Sequence, residues 1–269
     1  MGGSAGGSDD GDVCCLGCGS HYPWQEGILW LGEGKGAQLN RWFRLQDEDV
    51  SFHGMLEQML SLARNSGRTF EDEIYALLSW LDPAPSQHVL LLGCDDGRAI
   101  PPLAEAIYPG LVIALDTDVT LLKRARRLCR VQRATNVVLV QADMAHPPVR
   151  PGTFDRLLIT GLLHGAERPD TLIERIARTL VPDGTVAGLT LARSILPQIA
   201  DAQSQFAAGA GVHFTDMNEL GKDLCRGEFD RFQMDQASNW MARFVVRRAS
   251  KTLAAGQLSG WHKTLRPAR

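Results

Sequence analysis

The chain has 269 residues, 44% hydrophobic and 22% charged, and its 28 Lys and Arg against 31 Asp and Glu give a formal net charge of −3. This balance is that of a globular protein and excludes the strong basic field of a dedicated nucleic-acid binder, while no run of about 18 apolar residues exists to span a membrane. The six cysteines do not form a disulfide framework. With no signal-peptide pattern at the N-terminus, we expect a soluble cytoplasmic protein.

Composition divides the chain into five parts. Residues 1–12 are rich in Gly, Ser and Asp and are expected to form a disordered tail, and 13–36 combine a cysteine cluster with short apolar runs typical of short strands and turns. Residues 37–86 predict a helical extension, and 87–250 predict the main domain. Residues 251–269 carry Lys, Arg and His but no acid, which indicates a flexible basic tail able to touch an anionic partner.

Two helices are predicted in the extension, over Phe52–Ala63 and Thr69–Leu81. The second has a start signal, because Asp72 follows Thr69 by three residues, and a stop signal in Asp82-Pro83.

From His88 onward, predicted strands alternate with predicted helices. The strands are Val89–Cys94, Leu111–Leu115, Val137–Val140, Arg156–Thr160, Val186–Leu191, Phe229–Met234 and Met241–Arg247. The helices between them include Ile100–Tyr108, Thr120–Val131 and Asp170–Leu180, and Pro182-Asp183-Gly184 predicts a turn. This alternation predicts an α/β fold with a doubly wound, mostly parallel seven-stranded sheet and helices on both faces.

The first candidate for chemistry is the turn that follows the first of these strands. The apolar run from Val89 ends in Gly93-Cys94-Asp95-Asp96-Gly97, and a helix follows. Open α/β sheets bind ligands at such turns, and glycine lets a backbone approach a ligand closely. A plain strand-to-helix turn can hold the same glycines, so the turn alone leaves both interpretations open.

Acidic residues follow the next two strands. Asp116 lies 19 residues past Gly97, where an acid can accept hydrogen bonds from both ribose hydroxyls of a nucleoside cofactor; the alternative is a helix N-cap, a role open to Asp118. Asp143 follows the third strand, where it can accept a hydrogen bond from an adenine amino group while Met144 packs on the ring. The alternative for Asp143 is an ordinary loop residue.

These motifs, in this order over residues 88–249, resemble the class I S-adenosylmethionine (SAM) methyltransferases, most of all the quinone-methyltransferase-like group that acts on small molecules. The resemblance is carried by Gly93-Cys94-x-x-Gly97, Asp116, Ala142-Asp143-Met144, Leu163-His164 and Leu180-Val181-Pro182-Asp183-Gly184. It implies a Rossmann-like sheet and SAM as cofactor. The implied cofactor-binding residues are Gly93, Cys94, Asp95, Gly97, Asp116, Thr117, Asp143, Met144 and Thr160, with His164 as the catalytic base or acceptor-orienting group.

The glycine motif departs from the family pattern at two positions. The family usually has an acid two positions before the first glycine, where this chain has Leu91, and a middle glycine where it has Asp95. The missing acid normally helps hold the loop around the methionine part of SAM. Asp95 can repel the carboxylate of the cofactor, or it can bond the ammonium and replace the lost acid; both interpretations stay open.

The cysteine cluster resembles half of another motif. Cys15-Leu16-Gly17-Cys18 is similar to the second half of the zinc ribbon found at the N-terminus of some methyltransferases. A structural zinc site needs four ligands, and Cys14 and His21 offer the missing two only at a spacing unlike that of the family. We therefore predict a degenerate ribbon-like segment without a metal.

The sequence favours an enzyme that transfers the SAM methyl group to a small or mid-sized organic acceptor, with residues around Trp42 to His53 as a lid. One alternative is a repurposed methyltransferase fold with a binding, assembly or non-methylating role, in which case a protein partner is expected. Another is an RNA methyltransferase, suggested by the ribbon remnant and the basic tail. The net charge of −3 argues against a nucleic-acid partner.

Overall fold

The computed structural model describes residues 10–32, 69–160, 162–166, 169–210, 212–226, 229–236 and 240–249. The predicted helix Phe52–Ala63, the predicted lid around Trp42 to His53 and the basic tail lie outside these residues. The tail predicted over 1–12 also lies outside them, apart from its last three residues.

The described residues form ten strands and six α-helices. The strands are β1 (Gly11–Cys14), β2 (His21–Gln25), β3 (Ile28–Trp30), β4 (His88–Leu92), β5 (Leu111–Asp116), β6 (Val137–Gln141), β7 (Phe154–Ile159), β8 (Leu180–Leu191), β9 (Phe229–Gln236) and β10 (Met241–Arg248). The helices are α1 (Phe70–Leu81), α2 (Ile100–Ile107), α3 (Val119–Val131), α4 (Pro169–Ala177), α5 (Pro197–Ala210) and α6 (Met217–Arg226), with a 3₁₀ turn at Leu163–Gly165. None of these described helices has the length and apolar character needed to cross a membrane.

All ten strands belong to one sheet, in the order β1-β2-β3-β6-β5-β4-β7-β8-β10-β9. Neighbouring strands from β3 to β8 are parallel, whereas β10 runs antiparallel to both β8 and β9. The seven strands from β6 to β9 in this order are the predicted doubly wound sheet, and the predicted fold class is confirmed.

The sheet has three more strands than predicted, because the N-terminal cysteine-containing segment joins its edge. β3 pairs in parallel with β6, with Ile28 opposite Leu139, and β1 and β2 continue the sheet as an antiparallel ribbon. Ile28 is fully buried, so this addition extends the hydrophobic core. Nothing local in the sequence specifies such pairing, since the partner strand lies more than a hundred residues along the chain.

Helices cover both faces of the sheet. The core of one face brings α1, α2 and α3 onto the strands and includes Phe70, Leu77, Leu91, Ile100 and Leu122. The core of the other face brings α4 and α6 onto the strands and includes Leu90, Leu92, Ile176, Leu220 and Phe244. Successive residues of β4 alternate between these two clusters, as expected for a strand buried on both faces.

Helix α1 begins as its start signal predicts. The Asp72 amide donates to the Thr69 hydroxyl oxygen at 3.2 Å, and the Thr69 amide donates to the Asp72 carboxylate at 2.7 Å. This reciprocal pair is a capping box, which satisfies two amides at the helix start.

Buried charges fix α1 to the antiparallel end of the sheet. Glu73, fully buried on α1, forms an ion pair with Arg243 of β10 at 3.2 Å between Oε2 and Nη1. Arg243 also donates two hydrogen bonds to Asp235 of β9, at 2.9 and 2.7 Å, and lies over the ring of Trp80. Because each charge has a partner, the network tolerates its burial.

The turn predicted at Pro182-Asp183-Gly184 forms an irregularity inside β8. Phe154 of β7 pairs with Leu180, and Arg156 pairs with Thr185. Between these two pairs β8 advances further along the chain than β7 does, so β8 bulges at the turn. Asp183 has φ 64°, in the left-handed region. The chain pairs with β7 both before and after Pro182-Asp183-Gly184, so these residues interrupt one long strand and do not separate two.

Candidate functional site

Four neighbouring parallel strands end at one edge of the sheet, and predicted site residues follow each of them. These strands are β6, β5, β4 and β7, in that spatial order. The register pairs Leu92 with both Leu115 and Ile159, so the strand ends are level. Since open α/β sheets bind ligands outside the carboxyl ends of their strands, this edge is the candidate site.

The turn after β4 has a backbone shape that favours glycine. The φ angles are 74° at Gly93, 50° at Asp95 and 90° at Gly97. The Gly93 and Cys94 amides donate to the Leu115 carbonyl at 3.0 and 3.2 Å, and the Gly97 amide donates to the Cys94 carbonyl at 2.9 Å. These bonds fix the turn against the end of β5.

Gly97 is required for packing. A Cβ at this position would lie 2.6 Å from both Cα and Cβ of Ala125, on α3. Contacts that short do not occur, so the glycine lets α3 approach the turn closely. Gly97 thus has a role in helix packing, and its role next to a cofactor stays a prediction.

Asp116 joins the end of β5 to the turn after β4. One carboxylate oxygen accepts a hydrogen bond from the Asp95 amide at 2.9 Å, and the other accepts one from the Asp118 amide at 3.0 Å. The side chain is buried, and this desolvation raises its pKa to about 7, with the charge of Asp95 adding to the rise. The N-cap role belongs to Asp118, whose carboxylate accepts from the Thr120 amide at 2.7 Å.

The two acids of the glycine turn face different surroundings. Asp96 forms an ion pair with Arg98 at 2.9 Å, whereas Asp95 is only 3% exposed and lies next to Asp116. Leu91, at the position of the usual family acid, is fully buried in the core under α1 and α2. An acid at position 91 of this chain would thus lie in apolar surroundings.

A threonine ties the end of β7 to the same turn. The Thr160 hydroxyl donates to the Gly93 carbonyl at 2.6 Å, and the Thr160 amide donates to the Leu92 carbonyl at 3.2 Å. Thr160 is fully buried. The family resemblance implies Thr160 as a site residue, but the sequence holds no signal for the hydrogen bond of Thr160 to Gly93.

The loop after β6 is held by its own acid. Asp143 accepts a hydrogen bond from the Ala145 amide at 2.9 Å and contacts His146 Nδ1 at 2.9 Å. Met144 is 1% exposed and packs in the core. Cys94 is likewise fully buried, while Thr117 is half-buried beside Asp116.

His164 is buried in the 3₁₀ turn after β7, with 2% of its surface exposed. Burial lowers its pKa to about 3, and nearby His213 adds to this effect. The backbone amide of His213 donates to the His164 carbonyl at 2.9 Å. His164 is therefore neutral at physiological pH, a state suited to hydrogen bonding more than to taking up a proton.

Cys14 ends β1, and Cys15 and Cys18 lie in the turn between β1 and β2, separated from β4 by several strands. Across the described part of the chain, no three His, Cys, Asp or Glu side chains are grouped to hold a metal. The absence of zinc at Cys15 and Cys18 stays a prediction.

Two cavities among the described residues lie apart from the candidate site. One, of about 780 Å³, is bordered by α1, α2 and residues 132–136. The other, of about 390 Å³, is an apolar trough on β3, β5 and β6. Neither is lined by Gly93, Asp116 or His164.

A parallel sheet of this order, with a glycine turn after its central strand and an acid at the end of the next one, defines the class I methyltransferase fold. Residues 89–184 match the family described as "Methyltransferase domain". The match, the named relatives and the shared fold support an assignment to the class I SAM-dependent methyltransferases.

Relatives and solved structures agree with this assignment. The chain is 35% identical over 118 residues to nocamycin O-methyltransferase of Saccharothrix syringae, covering 42% of this chain and 41% of that protein. It is 27% identical over 158 residues to malonyl-[acyl-carrier protein] O-methyltransferase of Legionella pneumophila, covering 58% and 54%. The chain thus spans about half the length of the curated relatives it matches.

The fold is similar to that of geranyl diphosphate C-methyltransferase from Streptomyces coelicolor A3(2), solved with Mg²⁺, geranyl-S-thiolodiphosphate and S-adenosyl-L-homocysteine. The TM-score is 0.58 with 12% sequence identity, over 68% of this chain and 77% of that one. This likeness concerns the fold.

Proposed function

We propose that the protein is an enzyme that transfers the methyl group of SAM to a small or mid-sized organic acceptor. The observation that carries this proposal is the position of Asp116, at the end of β5 and bonded to the glycine turn after β4. In this fold, that strand end and that turn together form the side of the site that receives a nucleoside.

The residues present fit SAM. The Asp116 carboxylate accepts hydrogen bonds from two backbone amides, and a carboxylate, with about four acceptor positions, has the chemistry to accept from ribose hydroxyls. Asp95 and Asp116 place two acids in one buried region, which suits a ligand with a positive ammonium and sulfonium. When bound, SAM would supply an electrophilic methyl group on its sulfonium.

The chain's own contribution to transfer is alignment and exclusion of water. Methyl transfer from a sulfonium is an in-line displacement, and alignment can contribute several kcal/mol to such a step. Thr160 and Asp116 hold the glycine turn from two neighbouring strands. His164, neutral and buried at the end of β7, would orient an acceptor hydroxyl or amine by a hydrogen bond.

The names of the relatives support a small-molecule acceptor. The curated relatives include O-methyltransferases of nocamycin and of malonyl-[acyl-carrier protein], and the structural neighbour methylates carbon of geranyl diphosphate by its name. A hydroxyl or carboxyl oxygen is therefore the first acceptor class to test.

Calorimetric titration of the full chain with SAM and S-adenosylhomocysteine tests the proposal. We expect micromolar binding of both, about −8 kcal/mol. Asp116→Ala should weaken SAM binding by about 1–3 kcal/mol, because a charge-assisted hydrogen bond is lost. Gly152→Ala, in a turn at the opposite edge of the sheet, is the control and should bind normally. Unchanged affinity of Asp116→Ala would remove Asp116 from the ribose role.

The burial of Leu91 supports a second candidate, a repurposed methyltransferase fold. Without an acid at that position, the methionine end of SAM depends on Asp95. The two candidates differ in the titration: a chain that binds neither SAM nor S-adenosylhomocysteine fits the repurposed fold and contradicts the enzyme. Asp95→Asn separates them further, since weaker SAM binding would show that the Asp95 charge replaces the lost acid.

A further inference from the structure

The end of β1 and the turn that follows it hold three cysteines. Cys14 and Cys18 are exposed and Cys15 is half-buried, and all three are free thiols. β3, β6 and β5 separate this ribbon from β4, so these thiols have no part in the proposed methyl transfer.

The backbone places Cys15 and Cys18 at a distance that a disulfide can span. The Gly19 amide donates to the Cys15 carbonyl at 2.7 Å, which closes residues 15–19 into one helix-like turn. Such a turn separates the Cα atoms of residues i and i+3 by about 5 Å, within the range found in disulfides. Gly19 ends the turn with φ 73°, a conformation that glycine adopts without strain.

The surroundings of Cys18 favour its thiolate. Cys18 Sγ is 3.3 Å from Ser20 Oγ. Hydrogen bonds from the side chain and backbone of Ser20 lower the pKa of Cys18 to about 7, with a smaller contribution from the Cys15 thiol. A thiol with a pKa near the ambient pH is the most effective attacking group in disulfide exchange.

Arg150 lies near Gly17, the residue between Leu16 and Cys18. The Cβ position of Gly17 is 3.8 Å from Cys15 Sγ and 3.6 Å from Arg150 Nη2, so the guanidinium and the Cys15 thiol flank the same residue. Arg150 comes from the loop between β6 and β7, which connects the cysteine turn to the main sheet.

We propose that Cys15 and Cys18 are a thiol–disulfide exchange site for low-molecular-weight disulfides, with Cys18 attacking and Cys15 resolving. The Cys18 thiolate attacks one sulfur of glutathione disulfide, forms a mixed disulfide and releases one glutathione thiolate. The Cys15 thiolate then attacks Cys18 Sγ, forms the Cys15–Cys18 disulfide and releases the second glutathione thiolate. Two protein thiols are oxidised, one glutathione disulfide is reduced, and the two protons pass through water to the released thiols.

The test is incubation of the full chain with glutathione disulfide, followed by mass spectrometry of alkylated peptides. We expect a loss of two hydrogens within the peptide that holds Cys15 and Cys18, reversed by dithiothreitol. Cys15→Ser should stop the reaction at one glutathione bound to Cys18. Ser20→Ala should slow alkylation of Cys18 at pH 7 by about fivefold, because a pKa one unit higher lowers the thiolate fraction from about one half to about one tenth.

Cys14→Ser is the matched control and should leave both the disulfide and the alkylation rate unchanged. Equal alkylation rates for Cys14 and Cys18 would contradict the proposal, as would disulfides that join only separate chains. Elemental analysis gives an independent check: one tightly held zinc per chain, with both thiols protected from alkylation, would assign the pair to a metal site and overturn the exchange site.

Discussion

Asp116 and His164 lie at the ends of two strands of the same edge, and burial shifts their pKa values in opposite directions. The pKa of Asp116 is raised to about 7 and that of His164 is lowered to about 3, because burial favours the neutral form of each. Asp116 also accepts hydrogen bonds from two backbone amides, which stabilise its charged form. The β5 end is thus able to hold a charge at neutral pH, whereas the β7 end presents an uncharged imidazole.

The first test concerns position 91, beside the Asp116 end of the site, where the family usually has an acid. If an acid were tolerated there, the difference between the two strand ends would no longer depend on Asp116 alone. Leu91 is fully buried among apolar residues, so Leu91→Asp should lower the free energy of unfolding by about 4 kcal/mol. Urea unfolding followed by circular dichroism measures this loss. Leu91→Met, which conserves volume, should cost less than about 1.5 kcal/mol. An Asp variant as stable as the wild type would show that position 91 reaches water.

The rigidity of the turn that Asp116 holds can be tested at Gly97. Gly97→Ala should destabilise the fold by about 3 kcal/mol, since the added Cβ meets Ala125 and the backbone is left-handed. Gly152 also has a positive φ but nothing within 4 Å of its Cβ position, so Gly152→Ala should cost only about 1 kcal/mol. Thermal unfolding of both variants separates packing from backbone strain. Equal losses would rule out the contact with α3 as the reason for Gly97.

The β7 end is tested by His164→Gln. If the neutral imidazole orients the acceptor, kcat should fall about tenfold, the value of one hydrogen bond, while SAM affinity stays within about twofold. The control is His213→Gln, because His213 is exposed and its contact with His164 through the backbone is kept. Loss of SAM binding in His164→Gln would place His164 on the cofactor side and remove the distinction between the two ends.

The opposite pKa shifts predict opposite pH dependence of stability. For Asp116, the folded form holds the proton more tightly than the unfolded chain, so its stabilising contribution is lost as pH rises from about 4 to about 7. For His164, the unfolded chain binds the proton more tightly, so stability is lost as pH falls from about 6.5 toward 3. Each slope is at most about 1.4 kcal/mol per pH unit.

Unfolding free energies measured across this range for Asp116→Asn and His164→Gln isolate the two contributions. Relative to each variant, the wild type should lose stability toward high pH for the Asp116 pair and toward low pH for the His164 pair. Parallel curves for wild type and variant would mean that the group has the same pKa folded and unfolded.

Local patterns were sufficient for much of the fold. The capping box at Thr69, the apolar run of β4 and the period of α3 each depend on residues close in sequence, and the structure confirms all three elements. Asp116, Thr160 and His164 come at or after the ends of predicted parallel strands. Because the carboxyl ends of parallel strands lie at the same edge of a sheet, the order of the strands was enough to bring these residues to one edge. The roles of these residues toward a ligand stay proposals.

Contacts between distant residues could not be predicted in this way. Nothing near Thr160 indicates its hydrogen bond to Gly93, and nothing near Ile28 indicates pairing with Leu139. The burial of Met144 and the pKa of His164 likewise depend on how several elements pack around them. A carboxylate at position 95 is visible in the sequence, but its proximity to Asp116 needs the turn in three dimensions.

The ion pair between Glu73 and Arg243 also bears on where an independently folding fragment can begin. The family match starts at residue 89, and a fragment cut there would lack α1. It would leave the guanidinium of Arg243 without its Glu73 partner and expose the apolar surface that Phe70, Leu77 and Leu81 cover. Such a fragment should aggregate, whereas one that begins at Thr69 keeps the helix cap and the ion pair. In hydrogen exchange, the amides of α1 should therefore open together with those of β10.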